Sequence, residues 1–284
     1  MSVDPNTTRK ENHVLLRGVA LCKRYMQRAP FSRRKFTVDA VNNVDLEIQT
    51  GQITALVGES GSGKSTLASC LALLEKPDSG QIFVEDQPVT GWSARQLLAL
   101  RPRIQMVFQD SAGALNPRFS AARVIQEPLE VQGLSPGSEL RQRACSLMEE
   151  VGLSPDRAEA SPLEFSGGQR QRLAIARALA LKPALLIFDE SLSGLDLVTQ
   201  AEIMNLLLDL QGRHELTYVL ISHDLSMIGQ VADYIAVMQR GMVVERGSRE
   251  QVFKRPQHEH TRELLSFARG LEVAFHSAGA EAQG

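Results

Sequence analysis

The sequence predicts an α/β fold in which a parallel sheet forms the core, accompanied by an antiparallel β subdomain and an inserted helical subdomain. First, VLLRGVALCKRY and VNNVDLEIQTGQ alternate apolar and polar residues, which predicts two antiparallel strands exposed on one face. Second, ALLIF at 184–188 and TYVLIS at 217–222 are short apolar runs, typical of parallel strands covered on both faces. Third, between about 110 and 165 the pattern changes to helices interrupted by Pro and Gly.

The remaining segments extend this arrangement. QITALVG followed by KSTLASCLALL predicts a buried strand that turns directly into a helix at residues 58–64. IAVMQRGMVVERG predicts a terminal hairpin with its turn near Arg240 and Gly241. The predicted organisation is a polar lead-in at 1–13, one domain at 14–248 with its helical subdomain at about 110–165, and a C-terminal extension with a frayed tail at 249–284.

The composition excludes several classes of protein. The 31 basic and 33 acidic residues give a formal net charge of -2, so no global charge attracts nucleic acid or anionic lipid. No window approaches the roughly 18 consecutive apolar residues of a membrane span, and the N-terminus lacks an apolar signal core. Cys22, Cys70 and Cys145 lie far apart without CxxC spacing, which favours a reducing, cytosolic setting. The basic stretch RAPFSRRKFT is interpreted as a solvated loop, with a phosphate or lipid contact as the alternative.

A glycine-rich loop carries the strongest chemical signal. GESGSGKST fits G-x-x-x-x-G-K-[ST] and lies between a predicted strand and a predicted helix. Glycines let the backbone N–H groups surround a polyphosphate, while the helix presents its positive end. We expect Lys64 to reach the β and γ phosphates and Ser65 to ligate Mg²⁺, and a merely flexible turn is the alternative. The candidate nucleotide-binding residues of this loop are Gly58, Glu59, Ser60, Gly61, Ser62, Gly63, Lys64, Ser65 and Thr66.

Two carboxylates end the apolar strand in LLIFDESLSGLD. At the carboxyl edge of a parallel sheet, beside the phosphate loop, Asp189 is placed to hold the magnesium shell. Glu190 is the candidate general base for the attacking water, a role that contributes roughly 10² to 10⁴ in rate. The alternative is a pair that only caps a turn.

FSGGQRQR at 165–172 begins another predicted helix with a bare backbone. Helical periodicity runs from Gly168 to Lys182, so Ser166 and Gly167 stand near a helix N-terminus with unpaired N–H groups and a positive partial charge. The chain already has one phosphate cradle, and one nucleotide needs only one. We therefore expect this second anion site to complete the pocket of a different subunit. An ordinary Ser N-cap followed by packing glycines is the alternative.

The phosphate loop, VFQD, FSGGQ, LLIFDE, SGLD and SHD occur in this order along the chain. In this the sequence resembles the nucleotide-binding subunits of ATP-binding cassette (ABC) proteins, from about Val14 to Phe267. The resemblance implies a P-loop NTPase core of the ABC ATPase type, with ATP and Mg²⁺ as cofactors. It also implies that two cassettes close head to tail around two ATP molecules. The signature residues that face a partner's γ-phosphate are then Ser166, Gly167, Gly168 and Gln169.

The resemblance assigns roles to four more residues. Gln109 in VFQD matches the Q-loop glutamine that senses magnesium beside the membrane-subunit contact, and His223 in SHD matches the switch histidine that contacts the γ-phosphate. Asp196 in SGLD matches the D-loop aspartate that links the two sites, and Tyr25 matches the aromatic residue that stacks on adenine. The candidate catalytic residues are Glu190, Gln109 and His223, and the candidate metal ligands are Ser65, Gln109 and Asp189.

Two positions depart from the family pattern. Phe165 begins the signature where Leu is usual, and its apolar side chain is expected to preserve the packing. SLSGLD after Glu190 replaces the common PTSALD, so the proline that normally stiffens this turn is missing. The missing proline bears on the geometry of the D-loop and on whether the two ATP sites are equally active.

IQMVFQDSAGALNPRFS, EPL and the tail SREQVFKRPQHEHTRELLSF resemble the oligopeptide, dipeptide and nickel importer branch. The resemblance implies an ATPase at the cytoplasmic face of a bacterial inner membrane. Its partners are a second cassette, identical or paralogous, two permease subunits and, indirectly, a periplasmic solute-binding protein, with no nucleic acid. Because no cysteine follows Cys145, we expect no iron-sulfur cluster. The alternative is a soluble ATPase of a cytosolic complex such as phosphonate-degrading lyase machinery.

Overall fold

The computed structural model describes residues 13–28, 35–109, 111–133 and 137–266. Its strands are β1 Val14–Arg28, β2 Lys35–Gln49, β3 Ile53–Val57, β4 Ser79–Val84, β5 Gln87–Pro88, β6 Ile104–Val107, β7 Leu185–Asp189, β8 Thr217–Ser222, β9 Tyr234–Gln239 and β10 Met242–Ser248. Its helices are α1 Lys64–Leu71, α2 Ala94–Leu100, α3 Ser111–Ala114, α4 Ala121–Val131, α5 Gly137–Glu150, α6 Gly167–Leu179, α7 Leu197–His214, α8 Leu225–Val231 and α9 Arg249–Lys254. Residues 259–266 form a further helical segment.

The antiparallel β subdomain is a four-stranded sheet with the strand order β2-β1-β4-β5. β1 and β2 pair from Val14 opposite Gln49 to Arg28 opposite Lys35. This pairing confirms the two antiparallel strands predicted from the alternation of apolar and polar residues. Their buried side chains share one hydrophobic cluster with α1, so the subdomain covers one face of the core.

The core is a six-stranded sheet with the order β10-β9-β3-β8-β7-β6. Its strands are parallel except β10, which pairs antiparallel with β9. Every residue of β3 and β8 is buried, as their apolar sequences predict. Leu56 and Ile187 join the cluster of the antiparallel subdomain, whereas Leu186 and Phe188 join a cluster with α4, α5 and α6. The sheet is therefore covered on both faces, as a parallel sheet requires.

The helical insertion contains α3, α4 and α5, followed by two 3₁₀ turns at Pro155–Arg157 and Pro162–Glu164. The helix predicted from Gly168 to Lys182 begins one residue earlier and ends at Leu179. Lys182, three residues beyond the end of the helix, has a left-handed φ of 51°, a conformation that does not continue an α-helix. None of the described helices combines the length and the apolar character that a membrane span needs.

The predicted terminal hairpin joins β9 to β10 through Arg240 and Gly241. Their φ angles are 48° and 81°, the positive values that a type I′ turn needs. Gly241 N–H donates to Ser62 O at 2.9 Å, and Gly241 O accepts from Asn42 N–H at 2.8 Å. The hairpin turn therefore ties the antiparallel subdomain to the glycine-rich loop between β3 and α1.

Three glycines of that loop have positive φ angles: 150° at Gly58, 79° at Gly61 and 103° at Gly63. A Cβ on Gly58 would lie 2.2 Å from Met238 O, and a Cβ on Gly63 would lie 1.9 Å from Ala40 O. A Cβ on Gly61 would meet no atom within 4 Å. Two of the glycines are thus required by contact with the backbone of β9 and β2 as well as by their dihedral angles.

Alanine substitutions at Gly61 and Gly63 separate these two effects. Because both residues have positive φ, alanine at either position is expected to lower the free energy of unfolding by about 1 to 2 kcal/mol. Gly63→Ala is expected to lower it by about 1 to 3 kcal/mol more, because its Cβ overlaps Ala40 O. Urea denaturation measures both values. Equal destabilisation by the two variants would contradict the close contact of the loop with β2.

Candidate active site

Lys64, the first residue of α1, is buried inside the glycine-rich loop with 3% of its side chain exposed. Its Nζ donates to Gly58 O at 2.9 Å and to Glu59 O at 2.8 Å, and it lies 3.7 Å from Glu190 Oε1. Burial lowers the pKa of Lys64, while the charges of Glu190 and Asp189 oppose that shift. The loop therefore encloses a cation whose counter-charges come from the end of β7.

Ser65 and Asp189 meet across the carboxyl edge of the sheet. β3 and β7 both flank β8, so the start of α1 lies near the end of β7. Ser65 Oγ donates to Asp189 Oδ1 at 2.9 Å. Burial raises the pKa of Asp189, the Ser65 hydrogen bond opposes the shift, and the Glu190 charge adds to it. A hydroxyl and a carboxylate oxygen are ligands that Mg²⁺ prefers, so this pair fits the metal predicted from the sequence.

Glu190 occupies a strained backbone position between Lys64 and His223. Its φ is 45°, and its N–H donates to Ile221 O at 3.1 Å. One carboxylate oxygen faces Lys64, and the other lies 3.8 Å from His223 Nδ1. Glu190 is 19% exposed and His223 is 59% exposed, so solvent reaches the site from the histidine side. Left-handed non-glycine residues held by their surroundings are concentrated at functional sites.

The turn after Glu190 is held without the proline of the family pattern. Ser193 donates to Glu190 O both from its Oγ at 2.8 Å and from its N–H at 3.1 Å. Ser191 stands in the place of that proline, is 6% exposed, and lines a cavity of about 70 Å³ together with Glu190 and His223. The two hydrogen bonds from Ser193 to Glu190 O therefore close this turn in the absence of a proline.

The start of α6 carries a complete helix cap. Ser166 Oγ accepts from Gln169 N–H, and Gln169 Oε1 accepts from Ser166 N–H at 3.1 Å. Ser166 and Gly167 are exposed. A Cβ on Gly168 would lie 2.5 Å from Thr199 Cγ2, so this glycine is needed for packing against α7. The structure thus shows the Ser N-cap and the packing glycine of the alternative interpretation, and the Ser166 N–H, expected to be unpaired, is bonded to Gln169. The anion site at this helix start stays a prediction.

Phe165 fills the position where the family pattern has Leu. It is 3% exposed, and the guanidinium carbon of Arg157 lies 4.2 Å from its ring centroid. Arg157 also donates to Gln169 Oε1 at 3.3 Å and to Glu164 O at 2.8 Å. Arg157 therefore contacts the signature segment through both Phe165 and Gln169. The sequence analysis did not identify this residue.

Asp196 caps α7 beside this helix start. Its Oδ1 accepts from Thr199 N–H at 3.0 Å and its Oδ2 from Thr199 Oγ1 at 2.7 Å, and these bonds lower the pKa of Asp196. Leu197 and Val198 follow with 68% and 70% of their surface exposed. Two adjacent exposed apolar side chains next to an open helix start are typical of a contact surface. The sequence reasoning did not identify them.

Gln109 and Tyr25 lie at the edges of the site. Gln109 is exposed beyond the end of β6. Tyr25 on β1 donates its hydroxyl to Glu75 Oε2 at 2.5 Å, and its pKa is raised by burial and by this hydrogen bond, with an opposing contribution from Thr66. The contact with Thr66 places Tyr25 beside the end of the phosphate loop. Its role, like the roles of the other site residues, stays a prediction.

Residues 166–169 stand apart from the cluster around Lys64. Within the described ranges, no hydrogen bond or ion pair joins them to residues 58–66. The described residues thus contain two candidate elements without a direct polar contact between them: a cradle with a buried cation and carboxylates, and an exposed helix start.

Comparisons with known proteins identify the family. The ABC transporter family model matches residues 41–193. The probable peptide ABC transporter ATP-binding protein y4tS of Sinorhizobium fredii is 43% identical over 255 residues, which are 89% of this chain and 72% of that protein. The glutathione import ATP-binding protein GsiA of Salmonella paratyphi A is 44% identical over 236 residues, which are 83% of this chain but only 38% of the length of GsiA.

Solved structures give the same answer. CbiO1 from Clostridium perfringens, part of the ABC transporter complex cbiONQ, matches with a TM-score of 0.73 and 29% identity, covering 86% of this chain and 92% of that chain. The dimeric structure of MJ0796, a bacterial ABC transporter cassette, matches with a TM-score of 0.71 and 28% identity over 82% of this chain and 98% of that chain. These matches confirm the predicted fold and resemblance. The chain belongs to the ABC transporter family, as an ATP-binding cassette subunit.

Proposed function

We propose that this subunit hydrolyses ATP to power the uptake of a peptide, nickel, a metallophore or a related small solute through separate permease subunits. One observation carries the proposal: the Lys64 ammonium, the Ser65 hydroxyl and the carboxylates of Asp189 and Glu190 meet at one edge of the parallel sheet. ATP-binding subunits of this family are ATPases coupled to transport. Support for a peptide-like solute comes from the names of y4tS and GsiA, which refer to peptide and glutathione.

The proposed assembly contains a second cassette, identical or paralogous, and two permease subunits. The cassettes work at the cytoplasmic face of the inner membrane, and a periplasmic binding protein delivers the solute to the permeases. The exposed start of α6 and the apolar pair Leu197 and Val198 support a partner surface on this side of the chain. The dimeric cassette structure of MJ0796 supports pairing of two such subunits.

In the proposed mechanism the phosphate loop and Lys64 bind and orient the phosphates of ATP. Gly58 O and Glu59 O hold the Lys64 ammonium inside the loop, which leaves one of its three N–H donors for a phosphate oxygen. Ser65, Asp189 and Gln109 are the residues that would hold Mg²⁺. When bound, that ion neutralises negative charge on the phosphates.

Glu190 is the proposed general base. Its carboxylate is fixed between Lys64 and His223, a position from which it accepts the proton of the attacking water. His223 is more exposed than Glu190, and we propose that it contacts the γ-phosphate. The start of α6 from the partner cassette closes the site by presenting backbone N–H groups from Gly167 onward to the same phosphate, because the Ser166 N–H is already bonded to Gln169.

Glu190→Gln tests the base. The variant keeps the shape of the side chain but cannot accept a proton, so we expect ATP turnover to fall by about 10²-fold or more while ATP binding is retained. Size-exclusion chromatography with ATP should then reveal a trapped dimer. Glu202→Gln on α7, with a side chain 60% exposed, is the matched control. Turnover near the wild-type rate in Glu190→Gln would reject the assignment.

Two inactive variants test the shared site by complementation. Lys64→Ala impairs the phosphate loop, and Ser166→Glu puts a negative charge on the exposed signature, so each chain alone should lose turnover. In a random mixture, half of the dimers pair one intact loop with one intact signature, and about a quarter of the wild-type activity should return. The substitution is placed at Ser166 because Thr199 leaves no room for a Cβ on Gly168.

Ser166→Ala is the control for this mixture. It removes the helix cap without adding charge, so it should lose less turnover than Ser166→Glu. Light scattering shows which species are dimers. An absence of recovery in a mixture that light scattering shows to contain homodimers, or full turnover by a demonstrated monomer, would overturn the shared site.

A further inference from the structure

A polar cavity lies beside the phosphate loop. Its volume is about 140 Å³, and three separate parts of the chain form its wall: the loop, the hairpin turn after β9 and the helical segment at 259–266. The residues that line it are Glu59, Ser60, Gly61, Ser62, Gln239, Arg240 and His260. The C-terminal extension therefore lies next to the phosphate loop, with His260 and residues 59–62 lining the same cavity.

Two buried polar atoms in this wall have no hydrogen-bond partner among the described residues. They are Ser62 Oγ and His260 Nε2, in residues that are 5% and 3% exposed. Buried polar atoms are nearly always hydrogen-bonded, either to protein or to ordered water. The cavity is large enough for several waters, and Ser62, His260 and Gln239 offer the polar partners that such water needs.

The backbone that carries His260 is held in place by hydrogen bonds to two side chains. Glu245 on β10 accepts from Gln257 N–H at 2.8 Å and from His258 N–H at 2.9 Å, and His260 N–H donates to His258 Nδ1 at 3.2 Å. Leu265, on the same helical segment, is buried in the core cluster. His260 is therefore part of a fixed wall.

The chemistry of the two atoms is complementary. Glu263 Oε2 lies 3.6 Å from His260 Nδ1, so this nitrogen faces a hydrogen-bond acceptor and is assigned the ring proton. In the neutral ring Nε2 is then an acceptor, to which a water donates. The same water can donate its second hydrogen to Ser62 Oγ or accept the hydroxyl proton. A water bridge of this kind is enthalpically nearly as good as a direct hydrogen bond.

Ser62 is where such a bridge affects the loop. Ser62 N–H donates to Glu59 O at 3.2 Å, Ser62 O accepts from Gly241 N–H, and the next two residues are Gly63 and Lys64. We propose that water in the cavity joins His260 Nε2 to Ser62 Oγ, which makes His260 a positioning residue of the phosphate loop. This inference rests on the proposed function, because its measurable consequence is nucleotide affinity.

The full chain with His260→Phe tests the proposal. Phenylalanine keeps the ring volume but removes Nε2, so the Kd for MgATP measured by calorimetry should rise by about threefold to tenfold. His260→Gln returns a polar group at similar depth and should restore the affinity. The matched control is His258→Asn, which keeps an acceptor for His260 N–H and should leave the Kd unchanged.

A double-mutant cycle with Ser62→Ala identifies the bridge itself. If one water joins the two side chains, Ser62→Ala with His260→Phe should lose no more affinity than the worse single variant. Independent losses that multiply, or a wild-type Kd in His260→Phe, would overturn the proposal. Failure of the wild-type chain to bind MgATP would instead contradict the proposed function.

A measurement without nucleotide distinguishes failure of the water bridge from failure of the proposed function. It also does not require the His260→Phe variant to fold. In the full chain labelled with ¹⁵N-histidine, Ser62→Ala should shift the Nε2 resonance of His260 and leave that of His258 in place. An unchanged His260 resonance would overturn the bridge, whatever the affinity for ATP.

Discussion

The burial of one cation organises the candidate site. Lys64 is 3% exposed, and a buried ammonium is costly unless it is hydrogen-bonded and paired with an opposite charge. The carbonyl groups of Gly58 and Glu59 supply the hydrogen bonds, and Glu190 supplies the charge. Those carbonyls reach Lys64 only because the loop folds back through glycines with positive φ. The glycines, the carboxylates and the strand order are therefore parts of a single arrangement around this cation.

The strand order brings distant residues to that cation. Ser65 and Asp189 are hydrogen-bonded although they are 124 positions apart in the sequence, because β3 and β7 lie on either side of β8. The same edge ends in Glu190 and His223. The start of α6 belongs to a different part of the surface, where it packs against α7 through Gly168 and Thr199. This separation supports the proposed pairing with a second cassette.

The sequence was informative where local pattern determines structure. β1, β2, β3, β7 and β8 follow from apolar periodicity, and the phosphate loop follows from residue types that only a phosphate cradle needs. The segment from β4 to β6 was not predicted, because its short strands have no strong period of their own. The packing of Gly168 against Thr199 and the burial of His260 could not be predicted from the sequence either, because both depend on packing between remote segments.

The position of β9 has a consequence for the order in which the protein is made. Ile53 N–H, at the start of β3, donates to Asp233 Oδ2 across 180 positions, and the loop after β3 rests on Met238 O and Gly241 N–H. A ribosome releases the glycine-rich loop long before it releases these supports. During synthesis the nascent chain therefore carries an unsupported loop and an incomplete sheet, and competence for nucleotide arrives only after the closing hairpin has emerged.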